Sequence, residues 1–488
     1  MAGEQKEKLR QGGILPFEVE EVLGASPITG FAGLPLVAEA FRACGADRAV
    51  TCGPPTRVRH RDRGLDDAQM AESFCLLLAA GGEHIDDFQI LRDDEGLAEL
   101  VGYEMPSPTR AKEYLYAFDE GMELSPSEKA QKDLFGGKVA QEQGPIEALA
   151  AAERATVRAA QLENPQPKAT LDLDASIVVS DKQQAAMTYI GERGYQPTLV
   201  YWAEQQMVLY EEFRDGNVPA GKDILRVLKR GVEALPEGVE EISFRSDSAA
   251  YDHDVLNWCR EEAGITFAIS ADMSPELRAA ITALAEQSWS SLDRTPRYMK
   301  RWAEVEFIPS APSCKKGRRP DRYLAIKIEP RQGRLFRDGS EVKYFAVVTN
   351  DWERGGAELI RWHRQKAGTI EKLHDVLKNG LGAGVMPCGR FGANAAWLRL
   401  NVLCYNLLTI IRRHGLEEQL RRARPKRLRL WVLCRAGRLV HHARALVVRV
   451  SWRVRRLMGR IARARLKLLQ LAWRVRSRPR ARASPQPA

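Results

Sequence analysis

Two aspartates, Asp172 and Asp174, alternate with Leu171 and Leu173 in the run TLDLDAS. Side chains on an extended strand repeat with period two, so both carboxylates share one face and both leucines the other. A carboxylate inside a buried strand is costly unless a cation or a metal meets it. Asp247 follows a second strand, Glu241 to Arg245, in FRSDSAAYDHD. The space past strand ends is where α/β folds place their chemistry. Glu371 falls on a predicted helix, TIEKLHDVLK, and Lys378 lies about 10 Å further along the same helix face at 1.5 Å per residue. Three such acids have a specific use. Two Mg²⁺ ions held about 3.5–4 Å apart by carboxylates activate a water or hydroxyl and stabilise the leaving oxygen of a phosphodiester. Hard oxygen donors suit Mg²⁺, with Mn²⁺ as the substitute ion. The plainer reading makes each acid a cap, a salt-bridge partner or a surface charge. Among 64 acidic residues, loosely spaced triples are easy to find.

The elements that must position these residues follow from periodicity. Residues 1–135 read as helical, with three- and four-residue apolar spacing in Leu34–Cys44 and Asp66–Ala80. Leu97–Val101, a break at Pro106 and Pro108, and Thr109–Phe118 give helix, turn, helix. That is either a DNA-reading pair or an ordinary helical hairpin. Residues 136–167 read as a linker containing an Ala-rich helix, Ile146–Gln161. Strands then follow at 169–179, 198–203 and 207–213, a helix at 220–234, a strand at 241–245, a helix at 254–263 and a strand at 266–270. Three strands, a helix, then alternating strand and helix is the order of a ribonuclease-H-like domain, and also of other mixed α/β domains. The first part of that core is taken as 168–290. Residues 291–352 read as a β-rich insertion with strands at 323–328, 334–337 and 342–348. Residues 353–413 return to helix, at 369–378 and 393–413.

Charge divides the chain. From residue 411 onward there are 24 Lys and Arg against two acids, a net of +22. The preceding body carries 50 basic and 62 acidic residues, a net of −12. A basic segment of this kind, 414–488, points to nucleic acid or an anionic membrane. Its stretch 447–456 reads as basic strand, 460–476 as basic amphipathic helix and the last residues as disordered. DNA is the favoured partner, since released counterions drive such binding; anionic lipid is the alternative. No apolar run approaches the roughly 18 residues of a membrane span, and no signal peptide is visible. The eight cysteines form no CxxC, which argues against a structural zinc site and suits a reducing cytosol. No phosphate-binding glycine loop appears, so no nucleotide cofactor is expected.

The blocks TLDLDAS (170–176), GYQPTLVYWAE (194–204), EEFRDGNVPAG (211–221), FRSDSAAYDHDVLNW (244–258) and AGTIEKLHDVLKN (367–379) together resemble bacterial insertion-sequence transposases of the DDE type. The likeness is to the branch in which a β-rich insertion separates the second Asp from the Glu. That branch carries Tyr, two residues, Arg, three residues, Glu, six residues, Lys around its Glu. Glu371 and Lys378 match the last pair. Trp362 stands near the Tyr position, and Arg364 or Lys366 near the Arg position, off the consensus spacing.

The resemblance implies an α/β fold: a ribonuclease-H-like catalytic core interrupted by the insertion, an N-terminal helical domain for the DNA ends and a basic C-terminal tail. It implies Mg²⁺-dependent cleavage at terminal inverted repeats and strand transfer into target DNA, by a homodimer in the DNA complex. It places the protein in the cytoplasm with the nucleoid, not at a membrane. Asp174, Asp247 and Glu371 become the catalytic metal ligands, and Asp172 a group behind them. Asp252 and Asp254 are the fallback for the second Asp, or helix-start acids. Lys378, Lys366 and Arg364 become DNA contacts. No Ser, Tyr or Cys nucleophile is expected. Trp289, Trp302 and Trp352 flank the insertion, as core residues or as platforms for a flipped base. His363 and His374 lie near Glu371, as packing groups or DNA contacts. A catalytically decayed DNA-binding relative and a nuclease that does not join strands are the rival functions.

Overall fold

The computed structural model describes residues 27–56, 58, 64–120, 137–309, 320–331, 336 and 338–477. The expected disordered end from residue 478 and the short strand at 334–337 (Phe336 apart) lie outside the described residues.

A nine-stranded sheet forms the frame. Its strands in chain order are β1 Lys168–Ala175, β2 Thr198–Trp202, β3 Met207–Glu212, β4 Glu241–Ser246, β5 Thr266–Ala271, β6 Ser290–Arg294, β7 Tyr298–Val305, β8 Arg322–Pro330 and β9 Lys343–Thr349. The spatial order is β6-β7-β8-β9-β5-β4-β1-β2-β3. β1, β2 and β3 pair antiparallel, while β1 runs parallel to β4 and β4 parallel to β5. The inserted strands do not fold away from this sheet. β9 pairs antiparallel with β5, Ala346 opposite Ala271, and β8, β7 and β6 continue outward as a meander.

Helices cover the sheet. They are α1 Pro35–Ala43, α2 Ala46–Cys52, α3 Asp67–Ala80, α4 Glu95–Val101, α5 Pro108–Glu120 and α6 Pro145–Glu163 on the N-terminal side. α7 Ile224–Glu233 joins β3 to β4, and α8 Gly356–Arg364, α9 Ile370–Gly380, α10 Phe391–Ile410 and α11 Arg455–Ser477 follow the sheet. Asp66 starts α3 with a reciprocal capping box, its carboxylate accepting from Gln69 N at 2.8 Å. Every residue of α10 is buried, its few polar residues included. α3, α5 and α6 pack around it, so the N-terminal helices and the sheet share one continuous core. The polar residues of α10 are answered. Asn406 bonds both the N–H and the carbonyl of Val208 on β3 at 3.0 Å. Arg399 reaches Glu142 at 2.7 Å and the Glu211 carbonyl at 3.1 Å. The block around EEFRDG is therefore interior: Glu212 binds the fully buried Arg214 at 2.7 Å and Arg226 at 2.6 Å.

Several expected elements differ. The strand at 169–179 ends at Ala175, and Val178–Val179 pairs instead with Tyr195 and Gly194. The helix at 393–413 is α-helical only to Ile410 and continues as a π-turn, Ile411–Gly415. The basic strand at 447–456 ends at Arg449, and α11 begins at Arg455. Between them Ser451 caps a single turn, Trp452–Val454, which stops the strand. The helix at 254–263 is α-helical only to Asn257 and widens into a π-turn over Trp258–Glu262. The helix at 220–234 starts at Ile224, because Asp223 is left-handed with φ of 50°.

Candidate active site

Asp174 is the next-to-last residue of β1, Asp247 lies just past β4, and Glu371 occupies the first turn of α9. Parallel pairing of β1 and β4 brings the first two to the same edge of the sheet. Burial pushes the Asp174 carboxyl up to about 6; the Lys366 ammonium opposes this, and the charges of Asp247 and Glu371 add to it. Its Oδ1 accepts from Ala175 N at 3.0 Å. Asp247 Oδ1 accepts from Ala249 N at 3.1 Å, which shapes the turn after β4. Glu371 is half exposed, with Lys366 Nζ 3.8 Å from its Oε1. Among the described residues, no group of three or more His, Cys, Asp or Glu side chains gathers closely enough to hold a metal ion.

Behind these acids lies a buried network. Arg245 on β4 grips Asp172 with two hydrogen bonds, Nε to Oδ1 at 2.7 Å and Nη2 to Oδ2 at 2.9 Å. Thr369, the residue before α9, donates to the same carboxylate. Arg245 Nη1 also donates to the Trp362 carbonyl of α8 at 2.8 Å. The Trp362 ring lies between the Arg245 and Arg354 guanidiniums, 5.2 and 4.6 Å from its centroid. His363 Nε2 meets the Ser246 carbonyl at 2.9 Å, next to Asp247. α8 and the start of α9 are thus tied to both acid-bearing strands.

Lys378 ties the far end of α9. Its Nζ donates to Ser176 Oγ at 2.6 Å and to the Ile177 carbonyl. As placed, that ammonium serves the chain after β1. Burial lowers its pKa and the Asp174 charge raises it. Burial lowers the pKa of Arg364 at the end of α8, and the charge of Asp293 in the insertion opposes this. His374 lies between the two ends, Nε2 3.7 Å from Asp174 Oδ2 and without a hydrogen-bond partner. Burial drives the imidazole down to about 3, so at neutral pH it is uncharged and the contact is not an ion pair. Asp252 caps the helix His253–Asn257, accepting from Asp254 N at 2.8 Å, and Asp254 occupies its first turn.

Among the tryptophans that flank the insertion, Trp302 and Trp289 are partly buried and Trp352 is exposed. Trp302 fills the space over Gly356, where an added Cβ would meet its ring at 2.1 Å. Trp289 lies 6.2 Å from Tyr344 between ring centroids, and Arg322 lies 5.8 Å from the Trp352 ring. Sequence reasoning missed Arg245 and Thr369. A cation inside a buried strand, one strand from a buried acid, was the available signal.

Residues 24–471 match the family model described as transposase DDE domain, group 1. The chain belongs to this transposase family. Comparison with curated proteins gives no match. The matched span includes the N-terminal helices, the whole nine-stranded sheet and most of α11. A transposase is an enzyme that acts on DNA, which sets the class of partner. Among the described residues, no helix is long and apolar enough to cross a membrane.

Proposed function

We propose that this transposase cleaves DNA at the terminal inverted repeats of an insertion sequence and joins the freed ends to target DNA. The observation that carries the reading is the electrostatic meeting at Asp174 of Asp247 and Glu371, acids from three separate elements. The order β3-β2-β1-β4-β5, with α7 before β4, supports a ribonuclease-H-like core. The donor chemistry suits hard divalent ions, since the charges of Asp247 and Glu371 both act on Asp174 and Lys366 offsets part of them; as placed, the three side chains are not gathered closely enough to hold an ion, so binding would draw them together. Asp174, Asp247 and Glu371 would hold two Mg²⁺, or Mn²⁺ in its place. Such ions supply Lewis acidity to phosphoryl oxygens and make water nucleophilic near neutral pH.

The chain's own residues set the geometry. Asp172, Arg245 and Thr369 fix where Glu371 stands relative to Asp174. Lys366 brings positive charge to the end of β1 where a phosphate backbone would lie, while Lys378 holds the chain after β1 in place. The α4–α5 pair and the basic C-terminal region hold DNA on either side. Two copies bring two ends together, in the cytoplasm at the nucleoid.

The test is incubation of the purified protein with its flanking repeat DNA and Mg²⁺, beside Asp174→Ala, Asp247→Ala and Glu371→Ala. Cleavage at the repeat end and joining to target, abolished by each substitution and by EDTA, is the expected result. Binding without cleavage would make the protein a decayed relative, and cleavage without joining a nuclease. Cleavage that survives Glu371→Ala would move the third ligand elsewhere.

A further inference from the structure

The cleavage chemistry leaves a C-terminal groove unused. It measures about 600 Å³ and lies between the turn Arg429–Leu433 and the segment from Trp452 to Arg460. Two indoles line it, Trp452 at 76% exposure and Trp431 at 43%. Leu430 beside them is 64% exposed. Apolar surface left together in this way marks a binding site. The same walls carry Arg453, Arg455, Arg456 and Arg460. Arg460 is answered by Glu417 at 2.6 Å, but no carboxylate among the described residues pairs with Arg453, Arg455 or Arg456. Guanidiniums lie over the rings, Arg460 and Arg427 each 5.3 Å from Trp431 and Arg453 5.7 Å from Trp452.

Arginines without a carboxylate partner call for an anion, and the exposed indole of Trp452 calls for a flat apolar ring. A nucleotide strand offers both, phosphates to the first and bases to the second. A duplex hides its base faces in the stack, whereas unpaired nucleotides expose them. A lipid headgroup layer is planar and offers no ring to a concave wall. We infer that this groove binds unpaired nucleotides of single-stranded DNA, with a base on Trp452 and the backbone along Arg453, Arg455 and Arg456. The choice of nucleic acid rests on the transposase reading; the preference for an unpaired strand rests on the groove.

The test measures binding by the full-length chain in EDTA, by fluorescence anisotropy. The probes are a short oligothymidylate, a duplex of equal length and phosphatidylserine-containing vesicles. Trp452→Ala is expected to weaken oligothymidylate binding about 5- to 150-fold, with duplex binding unchanged. Trp452→Phe should retain most of the affinity, since the ring is kept. Arg455→Ala with Arg456→Ala should flatten the log affinity against log salt slope for the single strand by about 1.4. Trp452 is exposed, so its loss leaves the core intact, which a circular dichroism melt checks. Equal weakening of single strand and duplex would overturn the preference for unpaired nucleotides. So would no weakening at all, or Trp452-dependent binding to vesicles alone. If neither DNA form binds, the transposase reading itself fails along with this one.

Discussion

Asp174 is held in a state that its environment disfavours. Its folded carboxyl titrates near 6, above the ordinary 3.8. In metal-free protein this group's stabilising effect is complete below about pH 4 and is lost as pH rises through 6, about 3 kcal/mol in all. Asp174→Asn should therefore raise the melting temperature in EDTA at pH 7, and the gain should vanish near pH 4. His363 and His374 act in the opposite sense. Burial lowers them to about 4 and about 3 from the usual 6.5. Their effect is full above pH 6.5 and is lost as pH falls toward those values. Melting temperature against pH should thus fall on the acid side, and His363→Gln should make that fall shallower. Burial raises the Asp172 carboxyl as well, but Arg245 and Thr369 oppose that rise and pair with it. Asp172→Ala would leave a buried guanidinium unpaired, at a cost of about 3–5 kcal/mol in urea denaturation. Replacing both partners by leucine should recover most of that stability but not cleavage, because the link to Thr369 stays broken.

At the scale of elements, α9 is strapped to β1 at both ends. Thr369 bonds Asp172 at one end, and Lys378 bonds Ser176 at the other. A helix placed this way holds Glu371 at a fixed distance from Asp174 without relying on Glu371 itself. Lys378→Ala and Ser176→Ala should each reduce cleavage, and the double substitution should be no worse than Lys378→Ala. Additive losses would instead mean that Lys378 works directly on DNA. α8 depends on the insertion through Gly356 and Trp302. Gly356→Ala would drive a methyl into the indole and cost about 1–3 kcal/mol. The expected readout is a lowered denaturation midpoint with unchanged slope.

At the scale of the whole molecule, the basic C-terminal helix is also structural. Leu457, Leu468 and Leu471 of α11 are buried, and α11 packs along α1. Ala464 of α11 approaches Gly415, whose added Cβ would lie 2.9 Å away. Three buried leucines are worth about 1.5–3 kcal/mol each. Deleting residues from 455 onward should therefore lower the melting temperature of the entire protein. A tail that merely bound DNA would leave the melt unchanged and reduce only affinity. The N-terminal helices are bound in by the same logic, since α3, α5 and α6 enclose α10.

Much of this was legible in the sequence because local physics fixes it. Period-two alternation marked β1 and placed Asp172 and Asp174 on one face; helical spacing put Glu371 and Lys378 on one helix. The ordered blocks around those residues pointed to the family to which the chain belongs. The tertiary structure decided what the side chains do with one another. Asp172 and Asp174 are two residues apart, chemically alike and both pushed upward by burial, yet one is gripped by Arg245 and Thr369 while the other faces Asp247, Glu371 and Lys366. That difference arises from strand pairing and from helix docking across long stretches of chain, which no local spacing encodes. The same holds for the inserted strands, which read as a separate unit but extend the core sheet because β9 found the free edge of β5. It holds too for the basic tail, where burial of one apolar face turned a charged helix into part of the core.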